Sequence, residues 1–257
     1  MAAKTHDDLS GAALRRKARE RFALALRLEA EYLRSLRQLT RQVDRIVRDM
    51  APDGVIRNPT ALQKVLRQYA LTIEPWARSV AEKMVIKIAK KDETAWMQLG
   101  KQVGRSLKEE LDKAPTGDML KQFLNEQVHL ITSLPIEAAE RVHKLTLEGI
   151  TQGRRASEIA KDILETGKVT ESRAKLIART EIARTASGLT MARATHVGAT
   201  HYIWRTSGDA DVRNSHKEMN GKVIPFSKAP TLSDGTASHA GMIYNCRCYA
   251  EPILTDT

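Results

Sequence analysis

Residues 199–226 read ATHYIWRTSGDADVRNSHKEMNGKVIPF, and this stretch decides what kind of fold the chain can have. ATHYIWRT alternates along its length and carries Tyr202 and Trp204, which predicts a strand with one aromatic face. SGDADVR follows as a polar turn, and a short helix is expected around Val212–Met219. Asn220 and Gly221 form a turn signal that returns the chain into a second strand at Lys222–Phe226. Downstream, a loop rich in Ser, Gly and Pro runs to about residue 241. MIYNCRCYAEPIL (242–254) again has the composition of a strand. A purely helical protein is therefore excluded, and a small antiparallel sheet is expected near the C-terminus.

Everything upstream of this stretch reads as helix. Residues 10–50 place Phe22, Leu26, Ala30, Leu33, Leu36, Val43, Ile46 and Met50 at steps of three and four, which predicts one apolar stripe on a long helix. Pro52 and Gly54 end it. Asn58, Pro59 and Thr60 open a second helix toward residue 90, which Pro75 should kink or divide because proline lacks the amide proton and clashes with the preceding turn. A third helix is expected at 92–112. A fourth starts after Gly117 and is interrupted by Pro135, with another helix to about residue 151. Gly153 and Gly167 bracket a short helix, and a long one runs from about Thr170 to Gly198. Its stripe of Ala174, Ile177, Ala178, Ile182, Ala186 and Leu189 is small enough for close helix packing.

The expected fold class is thus mainly α: a long N-terminal helical region followed by a small α+β C-terminal domain with a short antiparallel sheet. The expected boundary divides a basic elongated helical region at 1–115 from a second domain at 116–257. That domain has helices over 116–198 and the small sheet and loops over 199–257.

Composition narrows the function classes. The chain has 257 residues, 42 Lys and Arg against 31 Asp and Glu, and a formal charge of +11. Residues 14–48 hold eleven Lys and Arg against four acids, so much of the excess sits on the first helix. Arg15, Arg16, Lys17, Arg19, Arg27, Arg34, Arg37, Arg41, Arg45 and Arg48 are the candidate contacts to nucleic acid or to an acidic partner protein. The same charges would also suit a plain solvated helix face. No apolar run approaches a membrane span. The first residues lack the apolar core of a secretory signal, so export by that route is not indicated. Two cysteines exclude a disulfide scaffold and suggest a reducing compartment.

Those two cysteines lie at 246 and 248, too close for easy bridging and suited to sharing a metal. With His216 and His239 they make four His and Cys residues in the last fifty, and thiolates with imidazoles suit tetrahedral zinc. A structural zinc would clip a small sheet with long loops, because metal binding adds directly to folding free energy. The alternative leaves the cysteines as small buried strand residues and the histidines as ordinary loop residues. Asp209, Arg213 and His216 also admit a catalytic reading, with His216 as general base and Arg213 on a phosphate, as in a metal-dependent nuclease. No second carboxylate or ligand cluster completes a hydrolytic site, so the expectation is that the protein is not an enzyme. A structural polar network of Arg179, Glu181, Asp209 and Arg213 is the simpler assignment, with a weak pair between Glu181 and Arg184 along the helix.

The order of LIARTE (176–181), YIWRTSGDADVRNSHKEMNGKVIPF (202–226) and HAGMIYNCRCYAEPIL (239–254) resembles the phage Mu F-like head-morphogenesis family, the minor head proteins of tailed phages and prophages. The matching positions are Ala178, Arg179, Thr180 and Glu181; Trp204, Asp209, Arg213, Ser215, His216, Asn220 and Gly221; and His239, Gly241, Asn245, Cys246, Arg247 and Cys248. LPIEAAERVHKL (134–145) and EIAKDILE (158–165) extend the likeness back to about residue 120. Ala240 departs from the family, where a proline often stands between the His and the Gly. The resemblance implies a minor capsid component, present in few copies, inside the virion at the portal vertex and in the host cytoplasm during assembly. It implies a role in head assembly and in DNA packaging or delivery. The implied partners are the portal protein, other capsid components and double-stranded DNA, with no membrane.

Overall fold

A computed structural model describes residues 11–52, 56–102 and 112–254, with side chains from Leu24 onward in the first segment and up to Lys101 in the second. Six long or medium helices and one short helical turn are seen among the described residues: α1 (Gly11–Asp49), α2 (Pro59–Thr72), α3 (Glu74–Gln102), α4 (Thr116–Thr151), α5 (Ala156–Leu164), α6 (Thr166–His196) and α7 (Asn214–Lys217). Three strands, β1 (His201–Arg205), β2 (Val223–Pro225) and β3 (Tyr249–Ile253), complete the fold. The mainly helical class with a small antiparallel sheet near the C-terminus is therefore correct.

The chain groups into two compact units. One takes α1 up to Glu29, the 83–123 segment and everything from Arg179; the other takes Ala30–Glu82 and Leu124–Ala178. In the second unit, Leu36, Leu39, Val43 and Val47 of α1 are buried, as are Leu62 and Leu66 of α2 and Ile131, Leu134 and Val142 of α4. Fully buried Gln127 accepts a hydrogen bond from the Tyr32 hydroxyl at 2.9 Å, so its polar side chain is satisfied. Arg37 pairs with Glu171, and Arg173 with Glu137.

Several boundaries differ from the sequence reading. Pro75 does divide the second helix: α2 stops at Thr72, and α3 begins at Glu74 with Pro75 in its first turn, where a missing N–H costs nothing. α3 then runs unbroken to Gln102, so no boundary falls near residue 91. The region 103–111, where the expected third helix would end, lies outside the described residues. Pro135 does not interrupt α4. It lies between buried Ile131, Leu134, Ala138 and Ala139, and packing on both sides outweighs the one backbone bond that proline removes. α6 opens at Thr166 rather than near Thr170; both threonines are buried, and the Thr170 hydroxyl donates to the Thr166 carbonyl at 2.8 Å.

The stripe of α1 also shifts. Leu28, Tyr32, Leu36, Leu39, Val43 and Val47 are the buried line, whereas Leu26, Leu33 and Ile46 are half-buried and Ala30 is exposed. Phe22 lies outside the described side chains. Two adjacent apolar lines run along this helix, and periodicity alone does not say which one faces the core.

In the first unit, β1 is the central strand, with β2 and β3 antiparallel on its two sides. Tyr202 pairs with Ile224 and Pro252, and Trp204 with Ala250. Pro225 and Pro252 both fall on edge strands, where an absent N–H leaves no ladder bond unmade. Tyr202 and Trp204, two apart on one face, are fully buried with Trp96, Val197, Met219, Phe226, Leu232 and both cysteines. α6 packs closely here: a Cβ on Gly188 would stand 2.6 Å from the Phe123 ring. Beside it, Arg193 is buried against Asp92, whose carboxylate also accepts from the Thr190 hydroxyl at 2.6 Å.

Candidate metal centre

The site is assembled from a strand, a helical turn, a loop and one long helix. Trp204 of β1 forms a wall: its ring meets the His216 imidazole edge-on at 5.8 Å and 81°. His216 sits on α7, whose four residues are fewer than expected for the 212–219 stretch. Ser215 beside it donates to Asp234 at 2.8 Å and ties this turn to the long loop.

The cysteines come from a loop. β3 begins only at Tyr249, so NCRC is not strand as its composition suggested. Asn245 has φ 54, a left-handed conformation that Asn tolerates better than most residues. Its backbone N–H donates to the Thr180 hydroxyl at 3.1 Å, and its side-chain oxygen accepts from Arg179 at 3.0 Å. Two consecutive residues of α6 thus grip the bend. Arg247, between the cysteines, reaches the other way and makes a bidentate pair with Glu29 of α1 at 2.8 and 2.9 Å. With Arg247 turned one way, Cys246 and Cys248 both face His216. Gly241 completes the support with φ 78, where a Cβ would stand 2.7 Å from the Cys248 carbonyl and 2.0 Å from the Ser187 hydroxyl.

His216 Nδ1 lies 3.5 Å from Cys246 Sγ and 3.4 Å from Cys248 Sγ, and all three residues are buried. Their ligand atoms lie within 4.8 Å of one another. A nitrogen about 2.0–2.1 Å and a sulfur about 2.3 Å from a tetrahedral zinc stand about 3.5 Å apart, which matches the two distances from His216 Nδ1 to the sulfurs. The Cys248 N–H donates to Cys246 Sγ at 3.3 Å, which favours a thiolate. The indole N–H of Trp204 is buried with no hydrogen-bond partner.

Electrostatics separate the two thiols. Cys246 is pulled down to about 4, first by its bond from the Cys248 thiol and then by His216, against the opposing effect of burial. Cys248 is pushed well above the ordinary thiol range by that same bond and by burial. Cys246 therefore gives up its proton first and Cys248 keeps its own; a divalent cation would displace that proton, with two thiolates balancing its charge. The cluster can therefore hold a metal.

His239, the fourth expected ligand, is placed elsewhere. Its Nδ1 is 3.1 Å from the Tyr202 hydroxyl, which also accepts from the Ala240 N–H at 3.3 Å. Burial pushes the Tyr202 phenol up to about 12 and His239 down, so a protonated phenol meets a neutral imidazole. Asp209, Arg213 and His216 do line one pocket, but His216 Nδ1 faces the sulfurs. Asp209 caps Asp211 N at 3.1 Å and lies 3.7 Å from Arg247, while Arg213 donates to the Tyr244 carbonyl. In the expected polar network, Glu181 pairs with Arg184 at 3.1 Å and Arg179 with Asn245 and Glu29. The arginine facing Asp209 is thus Arg247 rather than Arg213.

Of the basic candidates on α1, Arg27, Arg34, Arg41, Arg45 and Arg48 are exposed, and Arg37 is half-buried on Glu171. The side chains of Arg15, Arg16, Lys17 and Arg19 lie outside the described residues. Sequence reasoning missed Glu29, which appears in α1 only as one acid among many arginines. It also missed Asp92, whose partners Thr190 and Arg193 lie 98 and 101 residues along the chain.

Residues 140–251 match the family of phage Mu protein F like proteins, and that span contains every residue of the cluster. An uncharacterized protein of Haemophilus influenzae is 33% identical over 127 residues, 49% of this chain. The match spans only 28% of that protein's length. No solved structure matches the chain. The Mu F-like resemblance therefore holds over residues 140–251.

Proposed function

We propose that this protein is a minor head component of a tailed phage or prophage, acting at the portal vertex in head assembly and in DNA packaging or delivery. The observation that carries the reading is the Mu F-like match over residues 140–251. It supports a structural role in the virion, with the portal protein and other capsid components as partners. No helix among the described residues is long and apolar enough to cross a membrane. In functional terms the basic region 1–115 supplies contacts and the region 116–257 supplies the head module. The exposed Arg27, Arg34, Arg41, Arg45 and Arg48 support contact with DNA or an acidic portal surface.

Zinc is the finer part of this reading. His216, Cys246 and Cys248 hold it, and it staples the α7 turn to the NCRC loop. His239 is left out of the ligand set.

Co-purification of the chain with portal protein in procapsids tests the assembly role. Heads that form normally without the chain, and never contain it, would end the proposal. DNA affinity of the purified protein should fall steeply with salt, roughly linearly in the logarithms. Binding that is absent or insensitive to salt would remove DNA from the partner set.

A further inference from the structure

The geometry points to an open metal centre in which His216, Cys246 and Cys248 supply three ligands and a phosphate oxygen takes the fourth position. The inference rests on the metal reading above and adds a ligand to it. Structural zinc sites take four protein ligands, whereas two Cys and one His with a water is a composition found where the fourth position exchanges. Among the described residues the ligand group numbers three. His239 is engaged with Tyr202, and Asp209 caps its own loop and faces Arg247.

All three ligands line one pocket of about 330 Å³. Its wall carries Arg179, Arg213 and Arg247 against Asp209 and Asp211, together with Ser207 and Asn245. A cation neutralised by two thiolates adds little net charge, and Asp209, Asp211 and Glu29 balance the three arginines, so what enters is selected by whichever guanidinium has donors to spare. Arg179 and Arg247 already hold Glu29, while Arg213 is exposed and spends one N–H on the Tyr244 carbonyl. The remaining donors of its guanidinium fork suit a phosphate oxygen, which explains why the ligand is an oxyanion rather than a neutral molecule. The phosphate displaces a bound water, and no covalent bond is made or broken.

The test uses the full chain loaded with Co(II), freed of excess metal, and inorganic phosphate as the probe. A thiolate-to-cobalt absorption band is expected, together with saturable paramagnetic relaxation of the phosphorus NMR signal. Arg213→Ala should leave the band unchanged and weaken phosphate binding roughly tenfold, the loss of one charge-assisted contact. Cys246→Ser should lose the band and the relaxation together. Cobalt binding with no phosphorus relaxation would overturn the open site and leave the metal reading intact. Absence of the cobalt band in the wild-type chain would overturn both.

Discussion

Cys246, Cys248 and His216 lie at contact distance in a buried corner, and each is expected to be needed for metal. Replacing any one of them, Cys246→Ser, Cys248→Ser or His216→Ala, should reduce bound zinc from one equivalent to near zero by elemental analysis, whereas His239→Ala should keep it. Retention of zinc in all three ligand variants would contradict the assignment. Both thiols must be deprotonated for a cation to enter, and Cys248 holds its proton the more tightly, so zinc affinity should rise with pH. His239 behaves differently. Burial lowers its value in the folded protein, so the unfolded chain binds that proton more readily. The stability it contributes is complete above about pH 6.5 and is lost as the pH falls below that. His239→Asn should therefore flatten the acid-side decline in Tm, and an unchanged slope would show that other groups set it.

At the scale of elements, the site depends on how α6 and α1 grip one loop. Glu29 faces both Arg179 and Arg247 and is only 15% exposed in its side chain. Glu29→Ala would leave two arginines facing each other and should cost about 3 kcal/mol in chemical denaturation. Gly241→Ala forces a strained left-handed backbone and a clash with the Cys248 carbonyl; a loss of roughly 2 kcal/mol or more is expected. Much of this was legible in the chain. Asn220 and Gly221, the alternation through Trp204, and the breakers at Pro52, Pro59 and Pro75 all act locally, so the sequence displays them directly. Pro135 was misread because only the packing of α4 shows that a helix can absorb it. The cysteines were legible as a pair, and His216 as their partner. The loop conformation at Asn245 was not, because it is dictated by Thr180 and Arg179, more than sixty residues away.

At the scale of the molecule, a strongly basic, mainly helical chain carries a Mu F-like segment whose sheet and loops converge on one buried cluster. The two compact units draw on interleaved parts of the chain, since α1, α3, α4 and α6 each contribute residues to both. Truncation near residue 115 should therefore yield protein without cooperative melting, because it removes Lys83 and its neighbours, including Trp96, from the core that surrounds Trp204. A truncated chain that melts cooperatively at the full-length Tm would contradict this. The central claim is the proposed membership of the phage head, and its most direct test is mass spectrometry of DNA-filled phage heads purified from the strain that encodes the chain. The account predicts this polypeptide in a few copies per head, retained in the portal-vertex fraction after disassembly. Heads complete in portal and major capsid protein but free of this chain would contradict it.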